Sequence, residues 1–167
     1  MATKKLLDPK TFPRPPLLER TSKHLVIKWP AALGGATIAD TTSAYWVLET
    51  FHPPTYYIPP GDVAPGALST SSARRTFCEW KGDATYFRVA RPDGSGSVDG
   101  RAWTYERPSV ERFAPIAGFV SFYAGNEWEC FVDDEKVEAQ PGSFYGGWMT
   151  SDIKRESVKG APGTTGW

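Results

Sequence analysis

The sequence has no excess of either charge, because its 19 basic residues are matched by 19 acidic ones. Proteins that bind nucleic acid or anionic membranes carry a basic excess or a basic stripe, so we expect neither partner. No apolar run approaches the roughly 20 residues that span a bilayer. The N-terminal segment MATKKLLDPKTFPRPP also lacks the apolar region of a secretory signal. These absences predict a cytoplasmic protein.

Cysteine and histidine are scarce, with two of each in the chain. Cys78 and Cys130 lie on separate predicted strands, and two cysteines do not make a disulfide framework in a chain of this size. No two of these four residues have metal-ligand spacing. The E-x-x-H spacing of Glu49 and His52 comes nearest, but it lies in a strand-like segment that a proline follows. We therefore predict neither a metal nor another cofactor.

Aromatic residues, glycine and proline are abundant, with 7 Trp, 7 Tyr, 9 Phe, 16 Gly and 15 Pro spread through the chain. This composition indicates many short strands joined by turns, and no segment has the apolar period of a long helix. About nine short strands predict one compact all-β domain, barrel-like or a sandwich, over residues 23–139. A Pro-rich lead-in precedes it over residues 1–22. An irregular extension over residues 140–167 is expected to pack on the domain through its aromatic side chains.

Reactive and aromatic side chains are densest between Tyr45 and Phe87. This stretch contains the strand-like run YWVLE, the Pro-rich corner PPTYYIPP and the hairpin-like run RRTFCEWKGDATYF. Two strands with a Gly-Asp turn between them are typical of a hairpin. The segment over residues 91–100, in contrast, is predicted to be a loop. Because small barrels can hold one small ligand, the dense stretch predicts a lined cavity.

Five short motifs carry a resemblance to a known protein family. They are IADTTSAYWVLE (38–49), PTYYIPPGDV (54–63), TFCEWKGDATYF (76–87), AWTYERP (102–108) and IAGFVSFYAG (116–125). With these motifs the chain resembles, over roughly residues 23–138, the family catalogued as domain of unknown function 427. The resemblance implies a compact all-β domain, and some catalogues label the family nucleotidyltransferase-like. The chain departs from the family pattern at Glu79, where proline is usual, and at Pro60, where a basic residue is common.

Four residues are the candidates for catalysis: Glu49, Tyr57, Lys81 and Cys78. Glu49 ends a strand, where it is either an acid or base of the cavity or an ion-pair partner of Lys81. A lysine beside aromatic walls can act as a base or as an amine nucleophile, or it can simply hold an anion. Cys78 is either a nucleophile activated by a nearby cation or a small buried apolar residue. Tyr57 is a further candidate for proton transfer.

Aromatic residues of the same motifs are the candidates for ligand binding: Tyr56, Trp80, Tyr86, Trp103 and Tyr105. Tyr56 and Tyr57 are adjacent in a predicted strand, so only one of them can face a given interior. Trp103 and Tyr105 are two residues apart, share a face and could stack on a planar ligand. The alternative for each aromatic residue is ordinary core packing.

The sequence as a whole favours a protein that binds a small organic molecule in an aromatic cavity. Catalysis, if present, would be cofactor-free acid–base chemistry of the isomerase, cyclase or hydro-lyase type. Two alternatives stay open: a non-catalytic ligand-binding module, and a protein-interaction module with an exposed aromatic patch for which the tail and Trp148 are candidates. Nucleotidyl transfer is less favoured because no glycine-rich phosphate loop precedes a helix. A homodimer is also left open.

Overall fold

Thirteen short strands make up most of the regular structure. The computed structural model describes residues 5–78, 81–142, 145–160, 163, 164 and 167, with only the backbone of residues 73–75. The strands are β1 (Leu17–Arg20), β2 (Leu25–Lys28), β3 (Thr37–Thr41), β4 (Tyr45–Leu48), β5 (Thr55–Tyr57), β6 (Leu68–Cys78), β7 (Gly82–Ala90), β8 (Ser97–Tyr105), β9 (Val120–Phe122), β10 (Glu129–Val132), β11 (Glu135–Lys136), β12 (Glu138–Ala139) and β13 (Trp148–Met149). Short 3-10 helices lie at Pro9–Thr11, Ala31–Leu33, Pro60–Asp62, Glu111–Ile116 and Arg155–Ser157. None of the described helices has the length and apolar character needed to cross a membrane.

The strands pair antiparallel into four sheets. Their orders are β1-β4-β5, β11-β10-β2-β3, β6-β7-β8-β9 and the pair β12-β13. A bridge between Ile58 and Val120 joins the first sheet to the third, with N–H to O=C bonds of 2.8 Å in both directions. The outer strands of this joined surface, β1 and β6, do not pair with each other. The all-β prediction is therefore confirmed as a sandwich-like fold, and no barrel closes among the described strands.

The β6–β7 hairpin contains the longest strand, β6, and presents Lys81 at its turn. The hairpin is confirmed, but Gly82 and Asp83, which were expected to form the turn, begin β7 instead, and Cys78 lies opposite Gly82. Gly82 has φ 91°, and a Cβ there would lie 2.9 Å from the carbonyl oxygen of Arg107. Glycine is the residue that tolerates both conditions. The turn therefore packs against the loop that follows β8. This contact fixes the position of the Lys81 backbone.

Three segments are more regular than the sequence predicted. Strand β1 lies within the Pro-rich lead-in and pairs with β4 in register Leu17 to Leu48. Strand β8 begins at Ser97, inside the predicted loop, and the β7–β8 register shifts between Phe87 and Arg88. The tail adds β13, which pairs with β12. These short edge pairings carry weak local signals because packing, more than propensity, decides β-structure.

Two apolar clusters lie on opposite faces of β5 and β8. The first contains Tyr56, Ala102 and three buried tryptophans, and the second contains Tyr57 and Trp103. This division follows from the strand period of two, which sends neighbouring side chains to opposite faces. Trp148 from the tail belongs to the first cluster. It is 1% exposed and donates its indole N–H to the carbonyl oxygen of Phe122 at 2.8 Å, so it forms no exposed aromatic patch.

Candidate functional site

A cavity of about 270 Å³ lies on the side of the second cluster. Residues from the five strands β4 to β8, the β4–β5 turn and the C-terminal tail line it. Phe77, which is 71% exposed, lies at its rim. Ligand cavities usually measure roughly 300–1,000 Å³, so this one suits a small molecule.

Most of the predicted site residues line this single cavity: Glu49, Tyr57, Cys78, Lys81, Tyr86, Trp103 and Tyr105. Tyr56 does not, because its side chain faces the first cluster, is 3% exposed and packs 5.2 Å from the ring of Trp148. Trp80 lies outside the described residues. The structure thus places seven of the nine predicted residues together, while their catalytic or binding roles stay predictions.

The aromatic walls are built by β5, β7, β8 and the tail. The ring of Trp103 lies 4.6 Å from that of Tyr123 and 6.4 Å from that of Tyr86. Gly146 brings the tail backbone directly against this wall, since a Cβ at that position would lie 2.4 Å from the Trp103 ring. The absence of a side chain at residue 146 therefore allows the tail to cover the cavity beside Trp103.

Tyr57 and Tyr105 are neutral phenols in this environment. Burial raises the pKa of Tyr57 well above its usual range, although a hydrogen bond with Trp103 lowers it slightly. Burial likewise raises the pKa of Tyr105. Both hydroxyl groups keep their protons at neutral pH. Tyr57 can therefore donate a hydrogen bond to a ligand but does not serve as a base.

A tight turn brings Glu49 and His52 together between β4 and β5. The backbone N–H of His52 donates to the carbonyl oxygen of Glu49 at 3.0 Å, and Phe51 adopts φ 67°. A positive φ is rare for a bulky residue, and strained backbone of this kind clusters at functional sites. Phe51 is held there by its ring contact with Trp167 at 5.0 Å. The turn places Nε2 of His52 3.2 Å from Oε2 of Glu49.

Gln140 fixes the tautomer of His52 from the other side of the ring. Its Nε2 lies 2.8 Å from the carbonyl oxygen of Lys159 and 2.9 Å from Nδ1 of His52. A carbonyl oxygen can only accept, so the amide nitrogen must face Lys159, and it then also donates to Nδ1. The imidazole proton is therefore assigned to Nε2, where it points at Glu49.

The carbonyl end of the Gln140 side chain is buried as well. Gln140 is 2% exposed, and its Oε1 has no hydrogen-bond partner among the described residues. Both amide hydrogens of Gln140 are engaged, one with Lys159 and one with His52.

His52 is a neutral imidazole at neutral pH. Burial lowers its pKa, and the charges of Lys159 and Lys81 lower it further. The Glu49 carboxylate and the Gln140 hydrogen bond act in the opposite direction but are outweighed. His52 thus places a neutral imidazole beside Glu49, with Nε2 3.2 Å from Oε2. Glu49 stays accessible to a bound molecule, since its side chain is 36% exposed and lines the cavity.

Lys81 reaches the cavity as a half-buried ammonium group over two aromatic faces. Its Nζ lies 5.6 Å from the ring centroid of Tyr105 and 6.0 Å from that of Tyr57. No carboxylate of the described part of the chain lies within 4.0 Å of this ammonium, and the closest partner of Glu49 is His52. The ion pair between Glu49 and Lys81 that one interpretation of the sequence required is not formed.

The two cysteines differ in surroundings. Both are free thiols; Cys78 is half-buried at the cavity, whereas Cys130 is 2% exposed in the first cluster. Burial raises the pKa of Cys130 well above its usual range. Cys130 is thus a structural residue, and Cys78 is the thiol that a cavity ligand could contact. The described residues contain no group of three or more His, Cys, Asp or Glu side chains arranged to hold a metal.

A second cavity of about 240 Å³ lies on the other side of the Glu49–His52 pair. Arg14, Lys159 and Trp167 contribute to its walls. Lys159 Nζ also lies 5.6 Å from the ring of Tyr145, which belongs to the first cavity. Basic groups therefore lie near Glu49 and His52 in both cavities.

Sequence reasoning missed several residues of the site. His52 was considered only as a metal ligand, although its spacing from Glu49 is what a turn needs to bring the two side chains together. Gln140, Tyr123 and Tyr145 had no local signal, because tertiary packing of β9 and the tail brings them to the cavity. Gly146 and its neighbour Gly147 lie in the extension over residues 140–167 that the sequence predicts to be irregular.

The comparisons with known proteins identify the family. The family model described as "Domain of unknown function (DUF427)" matches residues 17–138. That range covers more than half of the chain, so the chain belongs to this family. It includes both sides of the Glu49–His52 turn and the hairpin with Lys81, whereas Gln140 and the tail wall lie beyond it. The search of curated proteins found no match.

Proposed function

We propose that this member of the DUF427 family binds a small organic molecule in the aromatic cavity and performs acid–base chemistry on it with its own side chains. One observation carries the proposal. Glu49 and His52 from the β4–β5 turn and Lys81 from the β6–β7 turn line one cavity of about 270 Å³ with aromatic walls. Ionisable groups that converge in an apolar cavity are the ordinary mark of a ligand or active site.

Glu49 is the proposed proton acceptor. Its Oε2 lies 3.2 Å from Nε2 of the neutral imidazole of His52, and enough of the side chain is exposed to meet a ligand. A carboxylate positioned in this way can remove a proton from a carbon or oxygen atom of the ligand and return it at a neighbouring atom. That proton shuttle is the chemistry of an isomerase, a cyclase or a hydro-lyase.

The aromatic hydroxyls and Lys81 are the proposed stabilisers of the negative charge left on the ligand. Tyr57 and Tyr105 are held as neutral phenols by burial, so each can donate a hydrogen bond to an oxyanion. Donors that are already positioned where charge develops lower the barrier more than any other single factor. Two free thiols are compatible with the cytoplasmic setting that we include in the proposal.

A metabolite library screened by thermal shift tests the binding part of the proposal. A ligand that binds the folded state raises Tm by mass action. We expect hits whose effect is reduced in Trp103→Ala but kept in Glu49→Gln, because the first change removes a wall and the second removes only a charge. If no compound raises Tm, or if Trp103→Ala responds like the native chain, the cavity is not a ligand site.

Turnover of the hits separates an enzyme from a binding module. Each hit is incubated in D₂O, and deuterium incorporation at carbon is followed by NMR. An acid–base enzyme exchanges the proton that Glu49 removes, and Glu49→Gln abolishes the exchange while affinity is retained. Binding without exchange or conversion in the native protein would support the non-catalytic alternative and contradict the catalytic part of the proposal.

A further inference from the structure

We infer that the ligand of the cavity is a small organic anion, with Lys81 as the residue that recognises its charge. The inference rests on the proposed function and deepens it by naming the chemical class of the ligand. It begins from the Lys81 ammonium, which lies over the faces of Tyr57 and Tyr105 and has no carboxylate of the described residues within 4.0 Å. Cation–π contacts compensate a desolvated ammonium only in part.

The rest of the site adds positive charge and does not neutralise Lys81. Lys81 and Lys159 both act on His52 from within electrostatic range, and both lower the pKa of its imidazole. Among the described residues that line the first cavity, Glu49 is the carboxylate, and its Oε2 lies 3.2 Å from Nε2 of His52 and forms no ion pair with either lysine. The second cavity contributes Arg14 near the same pair. Because Lys159 Nζ already donates to the carbonyl oxygen of Trp167 at 3.1 Å, Lys81 is the ammonium of the first cavity that a ligand can engage. A neutral or cationic ligand would leave the charge of Lys81 uncompensated, whereas an anion would balance it.

The geometry also says which end of the ligand meets Lys81. The ammonium lies at the side of the cavity formed by Tyr105 and Tyr57, next to the point where β7 begins at Gly82. The rings of Trp103 and Tyr123, 4.6 Å apart, line the same cavity. A planar body can pack on these rings while a carboxylate at its end reaches Lys81. The phenol hydroxyls then remain available as further donors to the anion.

Three probes of equal shape and different charge test this assignment. Benzoate, benzamide and benzamidinium are a planar anion, a neutral amide and a planar cation of nearly the same size. Their affinities are measured by chemical-shift titration of the full chain at low ionic strength. We expect benzoate to bind roughly tenfold more tightly than benzamide, because a hydrogen bond to a charged group is stronger than one between neutral groups. Benzamidinium is expected to bind most weakly.

Substitutions show whether Lys81 is the source of the preference. Lys81→Met keeps the length of the side chain but removes its charge, so the ratio of benzoate to benzamide affinity should fall towards one while benzamide affinity is kept. Lys81→Arg should retain the preference. Lys28→Met is the matched control, because Lys28 Nζ also lies over an aromatic ring, that of Phe131 at 4.9 Å, but on a strand that does not line the cavity.

Each contradictory result would reject a different claim. Equal binding of benzoate and benzamide, or tighter binding of benzamidinium, would contradict the anion assignment while leaving the cavity a ligand site. A preference for benzoate that survives Lys81→Met would remove Lys81 as its source and overturn the inference. If none of the three probes shifts signals of cavity residues, both the inference and the proposed function fail. Weakening of the benzoate preference by added salt would support it, since the ammonium is only half-buried.

Discussion

His52 and Glu49 form a close pair across a tight turn, with Nε2 of His52 3.2 Å from Oε2 of Glu49. The pair is local in sequence, whereas every group that controls it is distant. Gln140 and Lys159 come from the tail, and Lys81 comes from the β6–β7 turn. The turn brings the two side chains together, and contacts from distant segments determine the protonation state of His52.

Removing the Gln140 amide should allow His52 to populate both of its neutral tautomers. In the native protein the ring ¹⁵N shifts of His52 should report a proton on Nε2 and an acceptor at Nδ1, because Gln140 Nε2 donates to Nδ1. Gln140→Leu removes that donor, so both tautomers should become populated. Gln140→Glu places a carboxylate beside Nδ1 and should draw the proton to that nitrogen. A native spectrum with the proton on Nδ1 would show that the hydrogen-bond chain has been assigned in the wrong direction.

Stability should fall with decreasing pH because of His52. Burial lowers the pKa of His52 below its unfolded value of 6.5, so between these two values the unfolded chain binds more protons than the folded one. The contribution of His52 to the free energy of unfolding is therefore fully present above pH 6.5. It decreases as pH falls from 6.5 towards the lower folded-state pKa. Urea unfolding between pH 5 and 8 measures this dependence.

His52→Gln is the reference for that measurement, because glutamine keeps a polar side chain but does not titrate in this range. The difference in unfolding free energy between the native protein and the variant should shrink as pH falls below 6.5. A difference that stays constant across the range, or grows in favour of the native protein at low pH, would mean that His52 is not held neutral by burial.

Gly146→Ala should disturb the cavity wall. The added Cβ would lie 2.4 Å from the ring of Trp103, so either the ring or the tail must move. Overpacking of this kind costs about 1–3 kcal/mol, which lowers Tm by several degrees in a chain of this size. Trp fluorescence and Tm measure the two effects.

Gly61→Ala is the matched control for Gly146→Ala. Gly61 has no atom within 4 Å of the added Cβ, and its φ lies outside the left-handed region. It should change neither Tm nor fluorescence by a comparable amount. Equal effects of the two substitutions would show that the tail is not packed against Trp103 as described.

The two thiols should react at very different rates. Cys78 is half-buried at the cavity, while Cys130 is 2% exposed and burial raises its pKa, which disfavours the reactive thiolate. Iodoacetamide should therefore add one carbamidomethyl group to the native chain, located at Cys78 by peptide mass spectrometry. Cys78→Ser should remain unmodified until it is unfolded.

Protection of Cys78 provides a second use of the same assay. A compound that occupies the cavity should slow modification of Cys78, because that residue lines the cavity wall. Acceleration or no change in the presence of a saturating hit would place that hit outside the cavity. Rapid modification of Cys130 in the folded protein would contradict the packing of the first cluster.

The sequence predicted the all-β class and much of the cavity lining because both depend on short-range patterns. Strand periodicity alone separated Tyr56 from Tyr57 and grouped Trp103 with Tyr105, and the structure places Tyr57 and Trp103 in the same cluster. The glycine turn of the TFCEWKGDATYF motif marked the hairpin that carries Lys81.

The control of the Glu49–His52 pair could not be predicted in the same way. Gln140 follows β12 and reaches His52 across 88 residues of sequence, and no local pattern distinguishes it from a surface glutamine. The E-x-x-H spacing is visible in the sequence, where it suggests a pair of metal ligands and gives no sign of a turn. The positive φ of Phe51, which makes the turn possible, is unexpected for a bulky residue and has no signature in a single sequence.

A crystal structure of the protein with its strongest thermal-shift ligand is the most direct test of the account. We predict a ligand inside the cavity, with its planar body against Trp103 and Tyr105, its anionic group within hydrogen-bond distance of Lys81 Nζ, and a proton-bearing atom facing Glu49. A ligand bound at another surface, or a cavity filled by its own side chains while the ligand is bound elsewhere, would contradict the central claim that these groups form one binding site.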